Sequence, residues 1–193
     1  LLREAGAVAF TDGDRAVMNA LTMRRALSYA SNFDALIVQH ALDQDLQSAG
    51  VMHEGELATR LGLTGIPVAA ETAIIDRDIR LVELTGARYH IHQISSGESV
   101  EAVRQAKARG LAVSCGVSAA HLMLNENDVE NYRTFAKLNP PLRSEDDRLA
   151  LVDGLADGTI DIVVSGHNPQ DAEAKRQPFA QAAYGTVGVE TLL

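Results

Sequence analysis

The sequence has no tryptophan, and aromatic residues of all kinds make up only 4% of it. Its core must therefore be assembled from Ala, Val, Leu and Ile. It has a single cysteine, Cys115, which excludes an internal disulfide and fits a reducing compartment. It has no cluster of Lys and Arg, and its formal net charge is -9. Contact with a phosphate backbone needs a basic face, so nucleic acid is excluded as a natural partner. No apolar run approaches the length of a membrane span and no signal peptide is visible, so the expected location is the cytoplasm. There is no internal repeat, no nucleophile elbow, no HExxH, no CxxC pair and no glycine-rich phosphate loop after any predicted strand. An initiating methionine is also lacking. The chain opens Leu1-Leu2-Arg3 and closes on the apolar run Val187 to Leu193, so both ends read as cut from a longer polypeptide.

What is present is ordinary for a globular protein. The 193 residues, 46% hydrophobic and 22% charged, suffice for a single domain over residues 1–193 with a sizeable core. Short apolar, β-rich runs alternate with longer stretches of helical period, the pattern of βα units and a parallel sheet. Five strands are predicted: Ala7 to Phe10, Ala35 to Gln39, Tyr89 to Ile94, Leu111 to Val117 and Ile160 to Val164. The second and fifth are near-continuous apolar runs, as expected of strands covered on both faces. Helices are predicted over Arg15 to Ser31, Ser48 to Arg60, Ala69 to Thr85, Ser99 to Ala108 and Ser144 to Leu155. Polar residues gather just after each strand, where parallel α/β folds place their sites. Five such strand ends favour a segment of a (β/α)8 TIM-type barrel over an open doubly wound sheet.

Several polar residues could carry chemistry, and each has a plainer reading beside it. His40 ends the second strand and could offer an imidazole to a metal; equally it could be a hydrogen-bonded histidine of the rim. His90 and His92, two apart on a strand, share a face, and Gln93 points the other way. Asp12 is a candidate carboxylate ligand or an Asx-turn residue. His167 is a candidate ligand or part of a turn. In Lys137-Leu138-Asn139-Pro140-Pro141-Leu142-Arg143 two prolines lock an extended path, flanked by Asn, Lys and Arg that could bind an anion or merely hold a rigid turn. His121 has no obvious acidic orienter. Cys115, inside a strand, reads as a small buried hydrophobe.

In this order the segments resemble the dihydroorotase family of the amidohydrolase superfamily. Lys137 to Arg143 resembles the family's K-M-N-P-P-L-R loop, its most specific marker. Gly65-Ile66-Pro67 with Ala70-Glu71 resembles G-x-P-x-x-A-E, and Arg77-Asp78-Ile79 resembles R-D-I. Asp157 to Asp161 resembles D-G-T-I-D, and Gly185 to Thr191 resembles G-I-V-G-L-E-T. The resemblance implies a metal-dependent (β/α)8 barrel that opens and closes the cyclic amide of dihydroorotate, with this chain covering roughly the fourth to eighth strands and forming the C-terminal portion of the barrel. The metal, zinc in the family, would generate hydroxide, and a carboxylate would move the proton.

The chain departs from the family pattern where that chemistry should sit. H-x-E-D reads His40-Ala41-Leu42-Asp43, which keeps the histidine ligand. H-I-x-H-V-S-T reads His90 to Ser96, with Gln93 in the ligand histidine's place and His92 on the wrong face. P-H-H reads Ala119-Ala120-His121. T-D-H-A-P-H reads Ser165 to Gln170, with Gly166 replacing the catalytic aspartate and Gln170 a histidine near the substrate. Asp12 matches the first Asp of F-[ST]-D-D-G, within a slip of one residue. Asn139 is implied as a substrate contact, and His40 and Asp12 as remnants of a metal site. A neutral Gln oxygen is a poor zinc ligand, and losing a general base costs about 10²–10⁴ in rate. The resemblance therefore implies a non-catalytic dihydroorotase homologue of pyrimidine synthesis with zinc absent or weakly bound. Such relatives are known as structural partners of aspartate carbamoyltransferase, in homo- or hetero-oligomers. The alternatives are an active zinc-dependent cyclic amide hydrolase with a shifted ligand set (His92, His167 and Asp12), or a hydantoinase or allantoinase.

Overall fold

The computed structural model describes residues 2–191; Leu1, Leu192 and Leu193, which belong to the two ends discussed above, lie outside the described residues. In chain order the elements are β1 (Ala9–Phe10), α1 (Ala20–Ser31), β2 (Leu36–Gln39), α2 (Gln44–Gln47), β3 (Met52–His53), α3 (Glu56–Leu61), β4 (Gly65–Ile66), α4 (Ala69–Thr85), β5 (Arg88–Ile91), α5 (Gly97–Ala108), β6 (Val113–Ser118), α6 (Ala119–Met123), α7 (Glu145–Ala156), β7 (Ile162–Val164) and α8 (Ala172–Lys175). Five strands form one all-parallel sheet in the order β1-β2-β5-β6-β7, and β3 pairs with β4 as a separate two-stranded sheet. The order never reverses. α1 packs on α4, α4 on α5 and α5 on α7 along one side of the sheet. A singly wound sheet with a row of helices on one face is barrel geometry; a doubly wound sheet would reverse its order and carry helices on both faces.

The core lies between the sheet and these helices. Tyr89, Ile91, Val113, Cys115 and Val117 point toward Met23 and Leu27 of α1, Ile75 and Ile79 of α4, and Val100 and Val103 of α5. By alternation, His90 and Ser114 face the other way, toward the barrel interior, and they join through a 2.8 Å contact between His90 Nδ1 and Ser114 Oγ. A second cluster packs Val51, Met52, Leu57, Leu138, Leu142 and Phe179 together. It binds the insertion between β2 and α4 to the proline loop and the C-terminal segment.

Two of the predicted helices differ from those observed. The first begins at Ala20 rather than Arg15, capped by Asn19, whose side chain accepts from Thr22 N at 2.9 Å. The preceding residues are held out of the helix by distant side chains. Val17 N donates to Gln39 Oε1, and Arg77 donates to the carbonyls of Val17 and Met18, all at 2.8 Å. No helix spans Ser48 to Arg60. Ser48 has φ 45°, and a side chain at Gly50 would begin 2.6 Å from the Gly65 carbonyl oxygen, so the chain turns there and continues into β3. The spacing of Val51, Met52, Leu57 and Ala58 imitates a helix because all four feed the second core cluster. The expected coverage of the fifth strand on both faces also fails: β7 is an edge strand, and Ile162 is 45% exposed.

The family-like motifs prove to be fastenings. Asp78 of α4 is fully buried and accepts from Tyr89 Oη and Arg77 Nε, each at 2.8 Å, and from Gln39 Nε2. Glu71 accepts from Ser95 N at 2.9 Å, from Ser99 Oγ at 2.5 Å and from Ser95 Oγ, while Arg143 Nε donates to Ser95 Oγ at 3.1 Å. Asp161 accepts from Cys115 N and from Lys107 Nζ, each at 2.8 Å. Side chains at Gly185 and Gly188 would collide with the Asn168 and Ser165 carbonyl oxygens, so these glycines let the C-terminal segment lie against the loop after β7.

Candidate functional site

Polar groups from all five strand ends converge on one open cavity of about 560 Å³, lined among others by Thr11, Asp14, His40, Gln93, Ser118 and Gly166. The proline loop adds Asn139, and the C-terminal segment adds Tyr184 and Thr186. The sequence-based expectation of a site at these strand ends therefore holds.

His40 is 6% exposed, and its Nε2 has no hydrogen-bond partner. Burial, above all, lowers its pKa, with His92 acting in the same direction against Glu71 and Asp14. It is thus a neutral imidazole with an uncommitted nitrogen. His92 also lines the cavity, which corrects the expectation that it points to the wrong face. β5 ends at Ile91, so strand alternation no longer separates His92 from Gln93, and both reach the cavity. The shared face expected for His90 and His92 fails for the same reason.

Asp12 is exposed and is not part of the cavity wall, whereas Thr11, Gly13 and Asp14 are. The Thr11 hydroxyl accepts from Gly13 N at 3.0 Å; this small turn carries Asp12 outward and brings Asp14 to the wall. Asp14 was legible two positions along the same F-T-D-G-D run and was missed. Asn139 lies on the wall with a buried Oδ1 that has no partner.

The cations of the proline loop are committed elsewhere, which corrects the anion-binding expectation. Lys137 Nζ donates to the Phe179 and Ala180 carbonyls at 2.9 and 3.0 Å and lies 4.6 Å from the centre of the Tyr184 ring. Arg143 donates to the Ile66 carbonyl at 2.6 Å and to His53 Nδ1 at 3.2 Å. The loop is not simply extended either, since its Asn139–Pro140 peptide is cis.

Two further histidines are partly or wholly occupied. His121 is buried, with Nδ1 2.6 Å from Ser118 Oγ and Nε2 3.1 Å from the Pro140 carbonyl. Since the carbonyl can only accept, the ring proton sits on Nε2 and the Ser118 hydroxyl donates to Nδ1. Burial lowers its pKa. His167 Nδ1 accepts from Gly188 N and Val189 N, each at 3.2 Å. Gly166 has φ 58°, and a side chain there would begin 3.5 Å from Gln93 Nε2. The position where the resemblance expects an aspartate therefore opens onto the glutamine that stands for a histidine.

The zinc implied by the resemblance does not fit these donors. Among the described residues no three His, Cys, Asp or Glu side chains are grouped to hold a metal ion, and Gln93 offers a neutral oxygen or an N–H where an imidazole would be needed. What the wall can do is hydrogen-bond a ligand through His40 Nε2 and Asn139 Oδ1. No titratable group stands at position 166 to move a proton.

A family model described as dihydro-orotase-like matches residues 1–99. The chain is 47% identical over 194 residues to a dihydroorotase of Ehrlichia chaffeensis, covering 100% of this chain and 43% of that protein. It is 47% identical over 190 residues to a dihydroorotase of Pelotomaculum thermopropionicum, covering 98% of this chain and 44% of that one. The chain thus spans less than half the length of these relatives. Among solved structures, a D-hydantoinase (dihydropyrimidinase) from a Thermus species superposes with TM-score 0.79 at 24% identity, over 98% of this chain and 45% of that chain. A dihydroorotase from Saccharomyces cerevisiae in complex with 5-fluoroorotic acid gives 0.71 at 13% identity, over 95% and 52%. These likenesses show the fold, a segment of the amidohydrolase barrel. Among the described residues no helix is long and apolar enough to cross a membrane.

Proposed function

The chain belongs to the dihydroorotase family, and on that footing we propose that the protein serves pyrimidine synthesis as a non-catalytic family member, a structural partner of aspartate carbamoyltransferase. One contrast carries this reading. The family-like motifs persist as buried, fully engaged fastenings: Glu71 to Ser95, Asp78 to Tyr89, Lys137 to Phe179. The cavity positions that should carry ligand and base hold Gln93 and Gly166. A fold kept in such detail around a site without its base fits a protein retained for its shape.

The test uses the full-length protein with added zinc, assayed for dihydroorotate hydrolysis in both directions. No turnover above the uncatalysed rate is expected. Turnover that a chelator abolishes and His40→Ala removes would overturn the reading.

One observation favours a second reading, an active cyclic amide hydrolase with an altered ligand set. His40 Nε2 is buried and uncommitted, and His92 and Asp14 lie near enough to shift its pKa. On this reading Asp14 takes the place that the sequence offered to Asp12. Stoichiometric zinc in the purified full-length protein would favour it over the first.

A further inference from the structure

We infer that the outward face of α1 is a docking surface for an acidic face of a partner protein; with the carbamoyltransferase as that partner, the inference rests on the reading just given. α1 buries Met23, Leu27 and Ala30. At 100° per residue, Leu21, Arg25 and Asn32 stand on the opposite side, with Arg24 and Ser28 to one flank and Tyr29 to the other. These six residues line a shallow depression of about 460 Å³. Leu21 is 51% exposed and Tyr29 70%. Phe33, just beyond the helix, is 50% exposed and meets the Tyr29 ring at a centroid distance of 5.1 Å. An apolar strip with two aromatic rings thus lies on the side of the helix turned away from its own core.

Charge identifies the occupant. Glu98 and Glu101 lie on α5, Glu145 and Asp153 on α7, and Glu71 and Glu83 on α4, yet α1 carries no carboxylate at all. Its only charges are Arg24 and Arg25, and neither makes an ion pair or hydrogen bond among the described residues. Elsewhere the chain is strongly acidic, with 26 Asp and Glu against 17 Lys and Arg. Tyr and Arg beside apolar surface is the composition of interface hot spots. A guanidinium covered by a partner requires a carboxylate to offset its desolvation. A second copy meeting this face symmetrically would set Arg24 and Arg25 against themselves, which disfavours self-pairing. Two arginines on a chain of this charge are no footprint for nucleic acid. The fitting partner is a protein presenting Asp or Glu around an apolar centre.

The experiment mixes the full-length protein with its cognate aspartate carbamoyltransferase and measures affinity by titration calorimetry at low and high salt. The variants are Arg24→Glu/Arg25→Glu, Tyr29→Ala and, as a control distant in sequence, Arg60→Glu, each checked for native helix content and melting. The wild type is expected to bind, more weakly as salt rises. The double variant should lose at least about tenfold in affinity and Tyr29→Ala about tenfold, with Arg60→Glu unchanged. A complex that the double variant forms as tightly as the wild type would overturn the surface and leave the partner reading standing. If the wild type forms no complex, both fall together.

Discussion

Gly166 opens onto Gln93 across the cavity. A side chain at 166 would begin 3.5 Å from the Gln93 amide nitrogen and 3.1 Å from Ser118 Cβ. The two clearest departures from the family pattern are therefore spatial neighbours, and a change at either one alters the room and polarity seen by the other. The glycine is also fitted to its backbone, since its φ of 58° lies where other residues are strained.

Gly166→Ala is expected to destabilise the fold by about 1–2 kcal/mol, from backbone strain and the close Ser118 contact together. Urea unfolding of variant and wild type measures this. A variant as stable as the wild type would mean that the backbone at 166 relaxes freely.

Asp78→Ala should cost about 3–5 kcal/mol, because it leaves Arg77 Nε, Tyr89 Oη and Gln39 Nε2 without their buried acceptor. Tyr89→Phe, which removes one donor and leaves Asp78 two others, should cost about 1–2 kcal/mol. The double variant should cost less than the sum, because the two share one network. Chemical denaturation of the three variants provides the cycle.

Acidification should unfold the protein more readily. Burial, and then the Arg143 guanidinium, lower the pKa of His53 to about 4. Above the ordinary histidine value near 6.5 both folded and unfolded chains hold this group neutral, and its stabilising effect is fully present. As pH falls from there toward 4 the unfolded chain takes up a proton that the folded chain refuses, so stability declines across that window and levels off below it. Burial lowers the pKa values of His40, His90 and His121 as well, with the same sign. The dependence of unfolding free energy on pH should be shallower for His53→Gln than for the wild type. Parallel curves would refute the assignment.

Cys115 should be inert in the native protein. It is fully buried, and burial followed by the nearby Asp161 pushes its thiol up to about 12. Alkylation mapped to its peptide by mass spectrometry should be absent in buffer and complete in denaturant. Its rate should follow unfolding, since the thiolate is the reacting form.

The sheet could be read from the sequence because its strands alternate with helices and carry polar residues at their ends. All five predicted runs are strands, shortened by one to three residues. The insertion could not, because Val51, Met52, Leu57 and Ala58 serve a second core whose other side, Leu138, Leu142 and Phe179, comes from much later in the chain. A local pattern cannot reveal a distant packing partner. The site was legible in its location and in His40, Gln93, Asn139 and Gly166, each at the cavity. Asp12 was misplaced because a turn held by the Thr11 hydroxyl decides which carboxylate of that run faces inward. The fates of Lys137 and Arg143 were hidden for a like reason: their acceptors are backbone carbonyls, which leave no mark in a sequence.

The link from Glu71 through Ser95 to Arg143 also sets an order in time. At roughly 5–20 residues per second of synthesis, the Glu71 carboxylate exists for about 4–14 s before the Arg143 guanidinium is made. Contacts of such sequence separation form late and slow a fold down. The helices and the early strands can assemble meanwhile, but the loop that positions Gln93 is fastened by both groups. That corner of the barrel therefore closes only once the proline loop has arrived, and a nascent chain halted before it would expose a half-held acid and an unlatched cavity.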